Sequence, residues 1–126
     1  MGLFSPLSIN NLLVFNMYAG RIYTISDLHV DQKANMEWVE NLSDNNYSWD
    51  TLIVAGDITH DIRKLFHTLR ILREKFREVY FCPGSHELWI VGEDDKKKYG
   101  ISNSIEKFHY VSKQHRNFDF NQFLFQ

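Results

Sequence analysis

Three short apolar runs, separated by helical patterns, limit this chain to a small set of folds. The runs span residues 21–26, 51–55 and 79–81 and are rich in β-branched or aromatic residues, which is typical of strands. Between them, apolar residues recur at helical spacing over residues 35–42 and 62–76. A β-α-β-α-β order predicts parallel strands joined by right-handed crossovers. We therefore expect an α/β fold in which a parallel sheet is flanked by helices.

A short polar cluster follows each of the three apolar runs. The clusters are Asp27-Leu28-His29, Gly56-Asp57 and Gly84-Ser85-His86-Glu87. Because the carboxyl ends of parallel strands meet at one edge of a sheet, where open α/β sheets bind ligands, we expect these side chains to share a pocket. Their carboxylates and imidazoles suit divalent ions such as Mn, Fe or Zn. The sequence therefore predicts a metal site at this edge.

The clusters resemble the signature of the calcineurin-like metallophosphoesterase superfamily, which reads D-x-H, then G-D, then G-N-H-[D/E]. The resemblance covers residues 21–108 and implies the first half of a metallophosphoesterase α/β sandwich. It implies that Asp27 and His29 hold one metal and that Asp57 bridges it to a second. Ser85 stands where an Asn would hold that second metal, and His86 would act on the leaving-group oxygen. The implied function is hydrolysis of a phosphate-ester substrate with two divalent ions, Mn, Fe or Zn.

Two departures from this signature weaken the implied metal centre. Ser85 replaces the family's Asn, and a hydroxyl is shorter and a poorer ligand than an amide oxygen. The later lone His and G-H-x-H motifs of the family are not found, and His109 and His115 are predicted to be surface residues. Two functions therefore stay open. One is a phosphoesterase that is impaired in this short chain, and the other is a non-catalytic fragment or pseudoenzyme with a partial metal site.

Each candidate residue also has a purely structural interpretation. Asp27 could cap a turn, Asp57 could be a helix N-cap, and His86 with Glu87 could be a surface pair. Asp61 could orient His86 or cap the second helix. A flavodoxin-like or receiver module shares the β-α-β order, but it does not require D-x-H, and the chain has no Gly-rich phosphate loop. The D-x-H spacing favours metal ligation over these alternatives.

The net charge and the cysteine content indicate which kinds of partner and which cellular compartment fit the chain. The net charge is −2 with His neutral, so no general affinity for nucleic acid or anionic membranes is implied. The apolar run at residues 12–15 is far short of the ~20 residues that a membrane helix requires. Cys82 is the single cysteine, which excludes an intramolecular disulfide and fits the cytoplasm. Cys82 is predicted to be a buried structural thiol.

Domain boundaries follow from the extent of the resemblance. Residues 1–20 are assigned as an N-terminal extension, residues 21–108 as the partial metallophosphoesterase-like domain and residues 109–126 as a tail. The first half of a sandwich would leave one sheet face uncovered, so we expect self-association unless the Phe-rich residues 118–125 cover that face as a strand. The strand residues expected in the core are Ile25, Leu52, Ile53, Val54 and Phe81.

Overall fold

The computed structural model describes residues 20–91 and 93–117, without the side chains of residues 115–117. Three strands alternate with helices, and two further helices follow. In chain order the elements are β1 (Ile22–Ile25), α1 (Lys33–Glu40), β2 (Thr51–Ala55), α2 (Ile62–Lys75), β3 (Glu78–Cys82), α3 (Ser85–Leu88), α4 (Asp94–Tyr99) and α5 (Ser104–Asn117). The predicted β-α-β-α-β order is therefore confirmed.

The three strands form one parallel sheet in the order β1-β2-β3. Ile25 pairs with Val54, and Val54 pairs with Phe81. The three strands therefore end at the same level, which brings the segments after them to one edge. The α/β fold class, with a parallel sheet flanked by helices, is confirmed.

Burial along the strands alternates, because the helices pack on one face of the sheet. Leu52, Val54 and Phe81 point to that face and are buried, as expected. Ile25 and Ile53 were expected in the core, but both are only half-buried. Ile53 lies on the opposite face, where Ile22 exposes 72% of its surface. A central parallel strand is buried on both sides only when both faces of its sheet are covered.

Helix α2 joins β2 to β3 and supplies much of the core. Its buried apolar residues recur every three or four positions, as an amphipathic helix requires. They are Ile62, Leu65, Phe66, Leu69 and Leu72. The carboxylate of Asp61 accepts hydrogen bonds from the backbone N–H groups of Arg63 and Lys64, at 2.8 and 3.1 Å. Asp61 is thus the N-cap of α2, one of its two predicted roles.

The segment after β3 is more helical than the sequence predicted. The charge run that starts at Glu93 lies in α4 and its N-cap. Ion pairs Glu93–Lys97 and Asp94–Lys98 stand four residues apart, and such pairs stabilise helices. Helix α5 begins at Ser104 and continues to Asn117. The predicted strand at residues 118–125 lies outside the described residues.

Candidate active site at the carboxyl edge of the sheet

Parallel pairing continues past the ends of β1 and β2 and aligns the first two polar clusters. The backbone N–H of Asp27 donates to the carbonyl of Gly56 at 3.2 Å, and that of His29 donates to the carbonyl of Asp57 at 3.1 Å. Val30 donates in the same way to Ile58 at 3.0 Å. This ladder places the D-x-H segment directly beside the G-D segment, as the common strand ends predicted.

Three candidate site residues adopt a left-handed backbone. The φ angles are +56° at Asp27, +43° at His29 and +58° at Asp57. Among the described residues, no other non-glycine residue has a positive φ. Such a conformation costs about 1–3 kcal/mol per residue and persists where the surrounding structure holds it, often at functional sites. The concentration of strain at these three positions argues against their being ordinary loop residues.

The candidate residues form two Asp–His pairs. Nε2 of His29 lies 3.5 Å from Oδ1 of Asp27, and Nδ1 of His86 lies 3.2 Å from Oδ1 of Asp57. The rings of His29 and His86 meet edge to face with centroids 4.7 Å apart. The two pairs are therefore in contact through their imidazoles, and all four residues share one site.

Asp57 accepts hydrogen bonds from the third cluster. Its Oδ1 accepts from the backbone N–H of His86 at 3.0 Å and from the hydroxyl of Ser85 at 3.5 Å. The bond from the His86 backbone lowers the pKa of Asp57 and outweighs the opposing effect of burial. Nδ1 of His86 is buried and has no hydrogen-bond partner among the described residues, although Asp57 is near. Asp57 is therefore ionised at neutral pH and links the second cluster to the third.

Glu87 has a role that the sequence did not reveal. Its carboxylate is fully buried and accepts four backbone N–H groups, whose donors are Asp57 at 2.7 Å, Ile58 at 2.9 Å, Thr59 at 3.1 Å and Gly84 at 2.9 Å. Burial raises the pKa of Glu87, and these N–H groups oppose that shift. Because three donors precede α2 and the fourth precedes α3, Glu87 ties the two segments together.

Two glycines allow these segments to approach each other closely. Gly56 has a φ of +75°, and a Cβ built there would lie 2.8 Å from the backbone of Gly84. A Cβ on Gly84 would in turn lie 2.6 Å from the carboxylate of Asp57. Gly56 thus allows a tight turn with positive φ, whereas Gly84 is needed for close approach, since its φ is −101°.

A second polar network flanks the site and was also missed from the sequence. Asp31 accepts hydrogen bonds from the hydroxyl of Thr59 and from Nζ of Lys64 at 3.1 Å. Nδ1 of His60 lies 3.8 Å from the same carboxylate. Burial tends to raise the pKa of Asp31, but the bonds from Thr59 and Lys64 hold it below its usual value. The network joins the segment after β1 to the start of α2.

Two further histidines lie on α2 and α5, and the cysteine lies at the end of β3. His109 on α5 is exposed, as predicted, and His67 on α2 is exposed as well. The side chain of His115, also predicted to be a surface residue, lies outside the described residues. Cys82 is half-buried, and burial raises the pKa of its thiol, which disfavours the nucleophilic thiolate. Within the described part of the chain, no helix could span a membrane.

A comparison with protein families agrees with this geometry. The family model for calcineurin-like phosphoesterases matches residues 20–125. The chain belongs to the calcineurin-like phosphoesterase family. The match includes all three polar clusters, so the resemblance predicted from the signature is confirmed.

One relative in this family is similar to the chain in both sequence and structure. The [acyl-carrier-protein] phosphodiesterase PptH of Mycobacterium tuberculosis is 31% identical over 100 residues, which are 75% of this chain and 31% of that protein. The crystal structure of this phosphopantetheinyl hydrolase superposes with a TM-score of 0.66 and 27% identity, covering 85% of this chain and 36% of the other. This chain therefore spans about a third of the relative's length.

The family implies divalent metal ions, and the donor types at the site suit them. Carboxylates and imidazoles are ligands of Mn, Fe and Zn, and Nδ1 of His86 is left without a partner. However, among the side chains that the structure describes, no group of three His, Cys, Asp or Glu residues is arranged to hold one ion. The described residues supply two ligand pairs, and they do not by themselves fit a complete metal centre.

Proposed function

We propose that this chain carries part of the active site of a metal-dependent phosphoesterase, with activity that is impaired in the chain as it stands. One observation carries the proposal. Asp27, His29, Asp57 and His86 meet at the carboxyl edge of the sheet, three of them on left-handed backbone. The stability cost of that backbone is accounted for if these side chains serve chemistry rather than packing.

The residues have distinct parts in this proposal. Asp27 and His29 would hold a first divalent ion, and the carboxylate of Asp57 would help to hold a second. When bound, such ions activate water and stabilise charge on the phosphoryl group. His86 acts on the leaving-group oxygen as general acid or charge stabiliser. Ser85 replaces a stronger amide ligand, and its hydroxyl already donates to Asp57, which supports impaired rather than full activity.

A phosphodiester is the first substrate class to test. The relative's name describes a phosphodiesterase that acts on an acyl carrier protein, and we extend only the phosphodiester to this chain. The net charge of −2 supports no general affinity for nucleic acid. We keep the cytoplasm as the proposed compartment, on the single Cys82.

Metal content and turnover test the proposal separately. Elemental analysis of the chain purified without chelators should find a substoichiometric divalent metal, and Asp57→Asn should reduce it. Hydrolysis of bis-p-nitrophenyl phosphate and p-nitrophenyl phosphate with added Mn²⁺ should be slow, and Asp57→Asn should abolish it. Fast turnover by the wild-type chain would show that the activity is not impaired, and metal-independent turnover would overturn the proposed cofactor.

The alternative is a non-catalytic fragment or pseudoenzyme that retains a partial metal site. It is favoured by the lack of a three-donor cluster among the described residues. Ser85→Asn separates the two functions, because a weakened enzyme should gain metal affinity and rate from an amide ligand. A non-catalytic chain should gain metal affinity alone.

We also propose that the chain self-associates through the sheet face opposite the helices. Ile22 on that face is 72% exposed, and Thr24 beside it is exposed as well. Exposed apolar strand surface tends to find a partner. Sedimentation velocity should show a concentration-dependent dimer or larger species, and Ile22→Lys should shift it toward monomer. A wild-type monomer that does not bind a hydrophobic dye would contradict this.

A further inference from the structure

A buried lysine on α5 contacts both segments that carry the second Asp–His pair. Lys107 exposes only 1% of its surface. Its Nζ donates to the carbonyl of His60 at 2.6 Å, to the carbonyl of Trp89, and to Oδ2 of Asp95 at 3.1 Å. An ammonium group has three N–H donors, and each has an acceptor here. The positive charge of Lys107 is paired with the carboxylate of Asp95, which is also buried.

The positions of the two carbonyls connect Lys107 to the site. His60 comes three residues after Asp57, and Trp89 comes three residues after His86. The indole of Trp89 packs on the imidazole of His86, with ring centroids 4.1 Å apart and planes tilted by 35°. A group that fixes the backbone of Trp89 therefore also restricts the ring against which His86 rests.

Lys107 and Glu87 hold the same two segments from opposite ends. Glu87 accepts backbone N–H groups at the start of each segment, from Asp57 and Gly84 among others. Lys107 donates to backbone carbonyls further along each segment. The carboxylate of Glu87 and the ammonium of Lys107 both need these backbone partners, because an unpaired charged group in a protein interior lowers folding stability. Both ends of the site segments are thus fixed by buried charges.

We propose that Lys107 is a positioning residue for the candidate active site. By bonding the carbonyls of His60 and Trp89, it sets the relative placement of Asp57 and the His86 imidazole without touching a substrate. The role rests on the proposed function, since positioning matters for catalysis only if Asp57 and His86 act on the phosphate ester. Its geometric part holds for the protein whether or not the chain turns over substrate.

Lys75 provides a matched control within the same chain. It is also buried, and its Nζ donates to the carbonyls of Glu40 and Leu42 at 2.9 and 2.6 Å and to Asp44 at 3.2 Å. This second lysine also donates to two carbonyls and one carboxylate, although Asp44 is exposed where Asp95 is buried. It joins α2 to the end of α1 and the segment after it, remote from His86 in the fold. Replacing either lysine removes one buried ammonium and its three hydrogen bonds.

NMR spectroscopy of the full chain tests the geometric part. The indole of Trp89 should displace the ring-proton resonances of His86, assigned with His86→Asn, through its ring current. Lys107→Met should remove most of that displacement, whereas Lys75→Met should leave it unchanged. An equal effect of both variants, or an unchanged His86 resonance in a folded Lys107→Met chain, would overturn the proposal. If Lys107→Met does not fold, Asp95→Asn decides, with a smaller change in the same direction expected.

Activity separates this proposal from the proposed function. If the wild-type chain hydrolyses bis-p-nitrophenyl phosphate, Lys107→Met should lower kcat by up to about 100-fold with little change in KM, as expected for a misplaced catalytic group. Lys75→Met should leave kcat close to wild type. If the wild-type chain is inactive, the proposed function fails, while the ring-current result still supports or overturns the positioning of His86. A rise in KM with kcat unchanged would contradict a positioning role.

Discussion

The two Asp–His pairs lie at the same edge of the sheet but are held very differently. Asp57 and His86 each expose 26% of their side chains, and Asp57 accepts the backbone N–H of His86. Asp27 exposes 61% of its side chain, and its carboxylate accepts a bond from the hydroxyl of the adjacent Ser26 at 2.7 Å. The second pair is therefore built into the protein, whereas in the first pair Asp27 stands largely in solvent and His29 exposes 35% of its side chain.

This difference originates in the backbone beneath each pair. The segment with Asp57 is fixed by the buried carboxylate of Glu87, while the segment with Asp27 is fixed by the N–H···O ladder to its neighbour. Both carry left-handed residues. The second pair is thus supported by a buried charge that accepts four backbone N–H groups. Substitutions there should change folding stability, and equivalent substitutions in the first pair should not.

Replacing Glu87 by Gln should have the largest effect on folding stability, because Glu87 fixes the segment beneath the second pair. The new amide group would face backbone N–H donors, so at least one buried donor loses its acceptor. We expect the free energy of unfolding to fall by about 3 kcal/mol, the range for losing hydrogen bonds to a buried charged group. Urea denaturation measures the change, and Glu74→Gln, at an exposed position of α2, is the control. A loss similar to the control would show that Glu87 does not fix the second pair.

The strands and the site edge could be predicted from the sequence, but the supporting contacts could not. Apolar runs followed by carboxylates and imidazoles identify Asp27, His29, Asp57 and His86 directly. The four N–H groups around Glu87 are invisible in a sequence, because every residue but proline carries one. The spacing Gly84-x-x-Glu87 offered a signal, since a Glu three residues after an N-cap often accepts its backbone N–H.

Other features required three-dimensional information of a different kind. The left-handed backbone at His29 accompanies the hydrogen bond from its N–H to the carbonyl of Asp57, a contact that the sequence does not show. The helix at residues 94–99 is hard to predict from the sequence, because a run of acidic residues followed by three lysines also fits a solvated turn. Nothing in the sequence distinguishes Lys107 from a surface lysine, and only the packing of α5 shows that it is buried.

Neutralising one carboxylate of each pair should lower the folding stability more in the second pair than in the first. Asp57→Asn should lower the free energy of unfolding by about 1 kcal/mol, because a hydrogen bond to a charged acceptor is stronger than one to an amide. Asp27→Asn should change it by less than about 0.5 kcal/mol, as for most exposed positions. Asn tolerates left-handed backbone, so strain stays the same in both. Equal losses in urea denaturation would mean that the pairs are held alike.

The loss of folding stability in Asp57→Asn should depend on pH. The pKa of Asp57 lies below its ordinary value of 3.8 in the folded protein. A lowered carboxyl pKa stabilises the fold above the unfolded pKa, and this stabilisation is lost as pH falls through the folded pKa. The stability gap between wild type and Asp57→Asn should therefore be constant from pH 7 to about pH 5 and narrow below about pH 4. A gap that widens in acid would contradict the direction of the shift.

The smallest effect concerns strain in the exposed pair. At Asp27, with φ of +56°, an Ala side chain meets the steric cost of left-handed backbone, which is about 1–2 kcal/mol for residues with a Cβ. Glycine avoids this cost, although it loses more entropy on folding. Asp27→Gly should therefore be more stable than Asp27→Ala by about 1 kcal/mol in thermal or urea denaturation. At Thr24, an exposed position on β1, the order should reverse, because glycine weakens a strand. Glycine below alanine at both positions would show that Asp27 is not strained, and the first pair would then be a flexible loop that only happens to face the second.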